Sequence, residues 1–200
     1  MSSVVYSMSV SADGYIAGPD GKFDWSAPDE ERFRFHTEQT GELGAHLLGR
    51  RLYETMGFWE TADSDSAALG ELGEQLQVDP DYLREFALTW QALPKVVFSR
   101  TLDTVEGANT SLAHDDLSAQ VSALREAVQG DIGVGGAELA AEAARLGLID
   151  EYRLFLAPVA LGGGIPFFPR EHRVDMELVE TRTFSSRVVY VRYRAARRQR

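Results

Sequence analysis

Apolar residues recur along this chain in short blocks of two kinds. Some blocks are continuous, about four to eight residues long and rich in Val, Leu, Ile or Phe, which is typical of buried strands. Others place their apolar positions on every third or fourth residue, which is typical of a helix with one buried face. The two kinds alternate along most of the chain. This alternation predicts an α/β fold with a largely parallel sheet.

The pattern divides the chain into predicted elements. The predicted strands are residues 4–10, 15–17, 45–48, 95–98, 109–112, 131–134 and 152–157. The predicted helices are residues 30–43, 50–56, 81–93, 117–129 and 137–146, with Asp115 or Asp116 as a cap and Gly147 as a stop. Two alternating runs, 178–183 and 187–194, flank Phe184-Ser185-Ser186 and predict a terminal antiparallel hairpin that makes the sheet mixed.

Two segments lack a clear pattern. Residues 61–81 are acidic and rich in small side chains, and we interpret them as a surface insertion. The last six residues, AARRQR from position 195, predict a solvated, frayed end. Because no repeat or linker interrupts the rest, we expect residues 1–200 to form a single domain.

The composition excludes several classes of protein. A net charge of −11 argues against a general nucleic-acid binder. The absence of cysteine excludes disulfides and thiolate metal sites and is typical of a cytoplasmic protein. No apolar run is long enough for a membrane span, and no signal peptide opens the chain. The four histidines are scattered without ligand spacing, so we expect no metal site.

A glycine-rich stretch carries the first candidate chemistry. Gly133, Gly135 and Gly136 lie between a predicted strand and a predicted helix. Glycines at such a junction let backbone N–H groups approach a phosphate at the positive end of the helix dipole. The usual G-x-G-x-x-G spacing is not present, and the alternative is a tight strand–helix connection that needs small residues.

Basic and hydroxyl side chains follow two other predicted strands. Gly49, Arg50 and Arg51 follow residues 45–48, and Ser99-Arg100-Thr101 follow residues 95–98. Guanidinium and hydroxyl groups suit a pyrophosphate or a phosphate monoester. The alternatives are two solvated arginines on a helix and a polar strand end.

Two acidic positions near the amino terminus are candidate catalytic groups. Asp13 lies in Ser11-Ala12-Asp13-Gly14-Tyr15-Ile16-Ala17, which is otherwise an Asp-Gly turn between two strands. Glu30 lies five residues after Trp25. A carboxylate can form paired hydrogen bonds with a 2-amino-heterocycle. The alternative is that Asp29 and Glu30 complement the dipole at a helix amino terminus.

Together, and in this order, these motifs resemble the dihydrofolate reductase superfamily. The closest resemblance is to the C-terminal reductase domain of the bifunctional riboflavin-biosynthesis deaminase-reductase. That domain has a G-G-x-x-L turn, an L-I-D-E strand start, a P-V strand end and an L-G-x-G-x-x-x-F loop. The corresponding residues here are Gly135-Gly136-Ala137-Glu138-Leu139, Leu148-Ile149-Asp150-Glu151, Pro158-Val159 and Leu161-Gly162-Gly163-Gly164 with Phe167 and Phe168.

The resemblance implies a three-layer dihydrofolate-reductase-like domain, with a twisted, mostly parallel sheet flanked by helices. It also implies NADPH-dependent hydride transfer to a pteridine or to a riboflavin-pathway pyrimidine, as in 5-amino-6-(5-phosphoribosylamino)uracil reductase. NADPH is favoured over NADH because the acid that usually reads the free 2′-hydroxyl of NAD is not evident. Since such reductases commonly pair, we expect a homodimer, with residues 154–161 and 187–194 at its sheet edge or face.

The resemblance assigns roles to individual residues. Asp13 and Glu30 would be catalytic, and Trp25 and Glu30 would contact the substrate. The implied cofactor residues are Ala17, Gly49, Arg50, Arg51, Ser99, Arg100, Thr101, Gly135, Gly136, Ala137, Glu138 and Leu139. Leu52 stands where the family often has a threonine that contacts the cofactor. Two alternatives remain: a non-catalytic nucleotide- or ligand-binding regulatory protein on the same fold, and a general nitro- or quinone reductase.

Overall fold

The computed structural model describes residues 2–62 and 66–196 of the chain. Its strands are β1 (Val4–Ser11), β2 (Tyr15–Ala17), β3 (Leu43–Gly49), β4 (Lys95–Phe98), β5 (Thr110–Leu112), β6 (Asp131–Gly135), β7 (Glu151–Ala157), β8 (Ile165–Pro166), β9 (Met176–Thr183) and β10 (Val189–Ala195). Its α-helices are α1 (Glu30–Gly41), α2 (Arg50–Met56), α3 (Ser66–Leu76), α4 (Pro80–Ala92), α5 (Leu117–Ala127) and α6 (Ala137–Arg145).

Eight of these strands form one mixed sheet in the order β5-β4-β3-β6-β1-β7-β10-β9. The pairs from β5 to β7 are parallel, while β10 is antiparallel to both β7 and β9. A small antiparallel pair, β2 with β8, lies outside the main sheet. The α/β fold, the mostly parallel sheet and the terminal hairpin are therefore confirmed.

Side-chain caps set the beginnings of helices α1 and α5. Asp29 caps α1 by accepting a hydrogen bond from the Arg32 backbone N–H at 2.9 Å. Asp116, rather than Asp115, caps α5 by accepting from the Ala119 N–H at 2.9 Å. These carboxylates satisfy N–H groups that have no partner within the helix. Helix α1 ends earlier than predicted, because Leu43 already belongs to β3.

The two faces of the sheet carry different cores. One face packs a single hydrophobic cluster that includes Tyr6, Val134 and Leu139. The opposite face, under α1 and α4, carries two separate clusters. One is built around Leu48 and Trp90, and the other around Phe155 and its neighbours on the hairpin. The interruption between these two clusters falls over β6 and β1, in the middle of the sheet.

The prediction of a surface insertion at residues 61–81 is wrong for the part that the structure describes. Helix α3 lies there, and Leu69 is fully buried. Ala62 and Val78 are buried as well, and all three belong to the cluster of Leu48 and Trp90. These apolar residues are too widely spaced to stand out in the sequence, but they share one hydrophobic cluster with residues of α4. Residues 63–65 lie outside the described residues.

Two predictions about the carboxyl terminus are corrected. Ala195 is the last residue of β10, and its N–H donates to the Asp150 carbonyl at 2.9 Å, so the end does not fray there. Residues 197–200 lie outside the described part. The runs 154–161 and 187–194 were predicted at a sheet edge or face of a dimer. Neither run forms an edge, because β7 and β10 each pair on both sides, so only the alternative of a sheet face is left for them. The outer strand on this side of the sheet is β9.

A buried ion pair anchors the other half of the sheet. Lys95 at the start of β4 is 1% exposed, and its Nζ lies 3.3 Å from the Glu60 carboxylate. Nζ also donates to the carbonyls of Trp90 and Leu93 at 2.7 and 3.0 Å. A buried ammonium needs such partners because it has lost its hydration.

Among the described residues, no helix is long and apolar enough to cross a membrane.

Candidate active site

The carboxyl ends of β3 and β6 meet at a point where the chain turns in opposite directions. From β3 the chain continues to β4 on one side, whereas from β6 it continues to β7 on the other. Open α/β sheets bind their ligands in the crevice at such a switch point. The two turns touch: a Cβ on Gly136 would lie 3.4 Å from the backbone of Gly49. The structure thus brings two of the predicted glycine turns together.

The three glycines of the G-x-G-G sequence serve different purposes. A Cβ on Gly133 would approach the His46 ring at 2.8 Å, and a Cβ on Gly135 would overlap Leu52. These two glycines therefore make room for neighbouring side chains, in agreement with the alternative of a tight strand–helix connection that needs small residues. Gly136 has φ +97°, a conformation that costs a residue with a side chain about 1 kcal/mol or more.

Gly136 also begins a helix whose first N–H groups are not capped by a side chain. It is the N-cap residue of α6, and no side-chain hydrogen bond is made there. Ala137, Glu138 and Leu139 follow as the first helical turn, with Glu138 exposed and Leu139 buried. Uncapped N–H groups at the positive end of a helix dipole suit an anion. This turn is the part of the site that best fits a pyrophosphate.

A second group of predicted residues meets at the carboxyl ends of β3 and β4. Nη1 of Arg50 donates to the Thr101 hydroxyl at 2.7 Å, and its Nε pairs with Glu54 at 2.7 Å. The Ser99 hydroxyl accepts from the Thr101 N–H at 3.2 Å. Residues 51 positions apart in the sequence thus form one polar cluster.

Arg51 and Arg100 flank this cluster and are exposed. Within the described residues, neither guanidinium makes a hydrogen bond or an ion pair, so both are available to a ligand. Tyr53 holds the loop that carries Thr101: its hydroxyl accepts from the Glu106 N–H at 2.7 Å and lies 3.2 Å from the Glu106 carbonyl. No role was predicted for this tyrosine, because its partners are backbone groups that cannot be recognised from residue type.

Asp13 joins the two loops that were recognised separately in the sequence. Its carboxylate accepts hydrogen bonds from the backbone N–H groups of Leu161 at 3.1 Å and Gly162 at 2.7 Å. The hydroxyl of Ser11 donates to it at 2.6 Å. The Ser11 hydroxyl and these N–H groups stabilise the charged form and hold the pKa of Asp13 below its usual value.

Ala17 belongs to the same joint. It pairs with Ile165 across β2 and β8, and a Cβ on Gly164 would overlap the Ala17 carbonyl. Gly164 has φ +132°, so glycine is needed there for two reasons. The L-G-x-G loop therefore packs directly on the loop that follows β1.

The predicted substrate residues lie near the start of α1. Glu30 is half-buried in the first helical turn, and Asp29 caps the helix, as the alternative interpretation expected. Trp25 packs against the Phe155 cluster, and its Nε1 is buried without a hydrogen-bond partner. Trp25 therefore lies on the α1 face of the sheet. The two predicted catalytic acids, Glu30 and Asp13, make no contact with each other in the structure.

Four polar residues on the same face were not predicted to have a role: Ser7, Ser9, His36 and His46. Ser7 and Ser9 are only partly buried, although β1 lies in the interior of the sheet. The His46 ring covers Gly133 and Gly135, and the His36 ring lies 4.2 Å from the Phe155 ring. Burial lowers the pKa of each histidine to about 4. The alternating serines of β1 were the available signal, since a parallel strand that is buried on both faces usually has a nearly continuous run of apolar residues.

In the described ranges, no group of His, Asp or Glu has the arrangement of a metal site. The site therefore offers an anion-binding turn, a guanidinium–hydroxyl cluster and, on the α1 face, the uncharged side chains of Ser7, Ser9, His36 and His46.

This combination of sheet order and glycine turns defines a dihydrofolate-reductase-like fold. Dihydrofolate reductase from Enterococcus faecalis, complexed with NADP(H) and RAB-propyl, superposes with a TM-score of 0.56 at 16% identity, over 96% of both chains. The RibD C-terminal domain family matches residues 2–190, and the chain belongs to that family.

Two further proteins are similar over nearly the whole chain. The Bacillus subtilis (strain 168) protein YyaP, described as uncharacterized, is 30% identical over 192 residues, which cover 95% of this chain and 93% of YyaP. A riboflavin-biosynthesis candidate protein from Shewanella sp. PV-4 has a TM-score of 0.69 at 20% identity, covering 98% of this chain and 100% of that one. The family and the fold together support a reductase-type function.

Proposed function

We propose that this protein is an NADPH-dependent reductase that transfers hydride to a small heterocycle, a pteridine or a riboflavin-pathway pyrimidine. The observation that carries the proposal is the contact between the turns at Gly49 and Gly136, with the Arg50–Thr101 hydrogen bond at the same edge of the sheet. Family membership supports the reductase class.

The residues at this edge fit the phosphates of NADPH. The uncapped first turn of α6, from Gly136 to Leu139, would hold the pyrophosphate through backbone N–H groups. Arg50, Ser99 and Thr101 already form a cluster that a 2′-phosphate can join, with Arg51 and Arg100 as free cations beside it. Charge-assisted bonds to a phosphate are the strong ones, so this cluster favours NADPH over NADH.

NADPH, when bound, supplies a hydride for the carbon of a C=N bond in the substrate, and the nitrogen takes up one proton. The chain's own residues position the reactants and exclude water. We assign Asp13 as a positioning residue, because its carboxylate holds the loop at Leu161 and Gly162. Trp25 and Glu30 are assigned to the substrate side, on the α1 face of the sheet.

We propose further that each chain folds as a single domain and that two chains form a homodimer in the cytoplasm. Its support is the family to which the chain belongs and the unpaired outer edge of β9 in the described structure. A two-fold arrangement is the commonest one for soluble oligomers.

The test is cofactor titration followed by turnover. We expect NADPH to bind at least about tenfold more tightly than NADH, equivalent to roughly 1.4 kcal/mol. We also expect loss of the NADPH absorbance band with at least one pterin, dihydrofolate or pyrimidine substrate. Equal affinity for the two cofactors contradicts the proposed phosphate cluster. NADPH binding without turnover on any heterocycle favours a ligand-binding protein on the same fold.

A further inference from the structure

The two hydrophobic clusters on the α1 face are separated by a polar strip, which we define as Ser7, Ser9, His36 and His46. The cluster of Leu48 and Trp90 stops at β3, and the cluster of Phe155 begins at β7. Between them lie β6 and β1. The described members of those clusters include no residue of β6 or β1.

The floor of this gap is made of small residues. Gly133 and Gly135 of β6 bear no side chain, and Ser7 follows Tyr6, which pairs with Val134. Ser9 pairs with Phe155 on the other side of β1. Tyr6 and Met8 pack into the opposite core, so by alternation Ser7 and Ser9 face α1.

The strip is accessible and its polar atoms are not used by the protein. Ser7 and Ser9 are partly exposed in an interior strand, which requires an opening between the sheet and α1. Within residues 2–62 and 66–196, neither serine hydroxyl has a hydrogen-bond partner. His46 Nδ1 lies 3.1 Å from the Leu47 carbonyl, which makes Nδ1 the donor and leaves Nε2 as an acceptor. Unpaired polar groups that line a partly buried pocket typically form hydrogen bonds with a bound ligand.

Four cations near this face are paired with carboxylates. Arg32 pairs with Asp29, Arg153 with Glu151 at 2.7 Å, and Arg182 with Glu31 at 2.8 Å. Lys95, the charged neighbour of His46, is paired with Glu60. Arg32 and Asp29 are the charged neighbours of His36. The burial that lowers the pKa of both histidines leaves their rings neutral at physiological pH.

From this geometry we infer that the polar strip binds the substrate ring, and that the substrate is an uncharged heterocycle without a phosphate group. Hydroxyls and a neutral imidazole match the alternating N–H and C=O groups of a lactam ring, whereas a phosphate dianion would find no unpaired cation among them. The inference rests on the proposed reductase function. It separates this chain from an enzyme that acts on 5-amino-6-(5-phosphoribosylamino)uracil, whose substrate carries a phosphate.

A matched pair of ligands tests the inference. The protein is saturated with NADP+, which cannot transfer hydride, and titrated by calorimetry with 5-amino-6-ribosylaminouracil and with its 5′-phosphate. We expect the two dissociation constants to agree within about threefold, because the phosphate gains no charge-assisted hydrogen bond. Tighter binding of the phosphate by more than that factor overturns the inference. Arg187, an exposed residue in the turn between β9 and β10, would then be replaced by Ala to locate the phosphate.

A serine variant tests the location. Ser9→Ala should weaken the binding of both pyrimidines about fivefold, which is the effect of one lost hydrogen bond. The affinity for NADP+ should not change. Ser122→Ala, on the outer surface of α5, is the matched control and should change neither affinity. Unchanged pyrimidine binding in Ser9→Ala, or no pyrimidine binding to protein that holds NADP+, overturns the inference and leaves the proposed cofactor site intact.

The same titrations without cofactor separate the two claims. If NADP+ and NADPH do not bind, the proposed function fails. Pyrimidine binding to the free protein that is sensitive to Ser9→Ala would still support the polar strip, and its absence would overturn it.

Discussion

The Asp13 carboxylate accepts a 2.7 Å hydrogen bond from the backbone N–H of Gly162, across 149 positions of sequence. Together with the bonds from Ser11 and Leu161, it fixes the loop after β1 against the L-G-x-G loop. Two motifs that a sequence comparison recognises as separate are therefore one structural unit. An acid in this position can matter for activity by holding the loops, without itself touching the substrate.

We predict that Asp13→Ala will speed the amide hydrogen exchange of Leu161 and Gly162 and leave the sheet protected. The reason is the loss of the acceptor for both N–H groups. Because the folded-state pKa of Asp13 is lowered, its contribution is present above its ordinary pKa and is lost as pH falls through the lowered value. Asp20→Ala is the control, since Asp20 bonds only within its own turn to Lys22. Equal exchange rates of Leu161 and Gly162 in both variants would show that Asp13 does not hold this loop in place.

Gly136→Ala should abolish or strongly weaken NADPH binding in a folded protein. The new Cβ would lie 3.4 Å from Gly49 and would force a φ of +97° on a residue with a side chain. Gly147→Ala is the matched control: it lies just beyond the other end of α6 with φ +68° and meets nothing within 4 Å. It should cost a similar amount, about 1 kcal/mol, and retain NADPH. NADPH titration with circular dichroism distinguishes the two, and intact binding in Gly136→Ala would leave the turn with only a packing role.

Arg100→Ala should reduce the preference for NADPH over NADH by about tenfold and leave NADH affinity nearly unchanged, because the two cofactors differ only in the 2′-phosphate. Titration calorimetry with both cofactors measures the ratio. Arg84→Ala is the control, since that arginine lies on α4 and pairs with Asp81. If both cofactors weaken equally in Arg100→Ala, the arginine does not read the 2′-phosphate.

The free energy of unfolding should fall as pH decreases from 6.5 to about 4. The folded-state pKa of His36 and of His46 is about 4, against 6.5 in the unfolded chain, so the unfolded state binds more protons in this window. Each histidine contributes a slope of up to about 1.4 kcal/mol per pH unit. Urea unfolding should show a shallower slope for His46→Gln than for the parent. His114→Gln, at an exposed position, should keep the parental slope; an unchanged slope in both would mean that His46 is not the source.

We expect light scattering at micromolar concentration to give twice the chain mass of 22.1 kDa. Strand β9 is eight residues long, forms the outer edge of the sheet and carries Leu178 at 61% exposure. An unpaired edge with an exposed apolar residue is a natural place for a second copy to pair. Leu178→Lys should therefore shift the mass toward the monomer, whereas Leu146→Lys, at 51% exposure beside α6, should not. A parental mass of one chain would refute the dimer.

Local sequence patterns determined most of the fold. The apolar blocks predicted the strands, the caps at Asp29 and Asp116 set helix starts, and Gly136 marked a strand–helix junction. These signals are readable because each depends on neighbours only a few residues away. The same is true of the order of the family motifs, which predicted the family and the sheet type.

Only the tertiary structure decided which residues meet. Helix α3 was missed because its buried residues are recognisable as core only against α4. Arg50 and Thr101 become one cluster, and Asp13 reaches Gly162, because the parallel strands bring their carboxyl ends to one edge of the sheet. In the sequence, Ser7 and Ser9 only make the strand pattern irregular. The structure shows that they lie in the gap between two core clusters. Pairings over such separations depend on strand order, and a chain's local periodicity contains no information about which strand will be its neighbour.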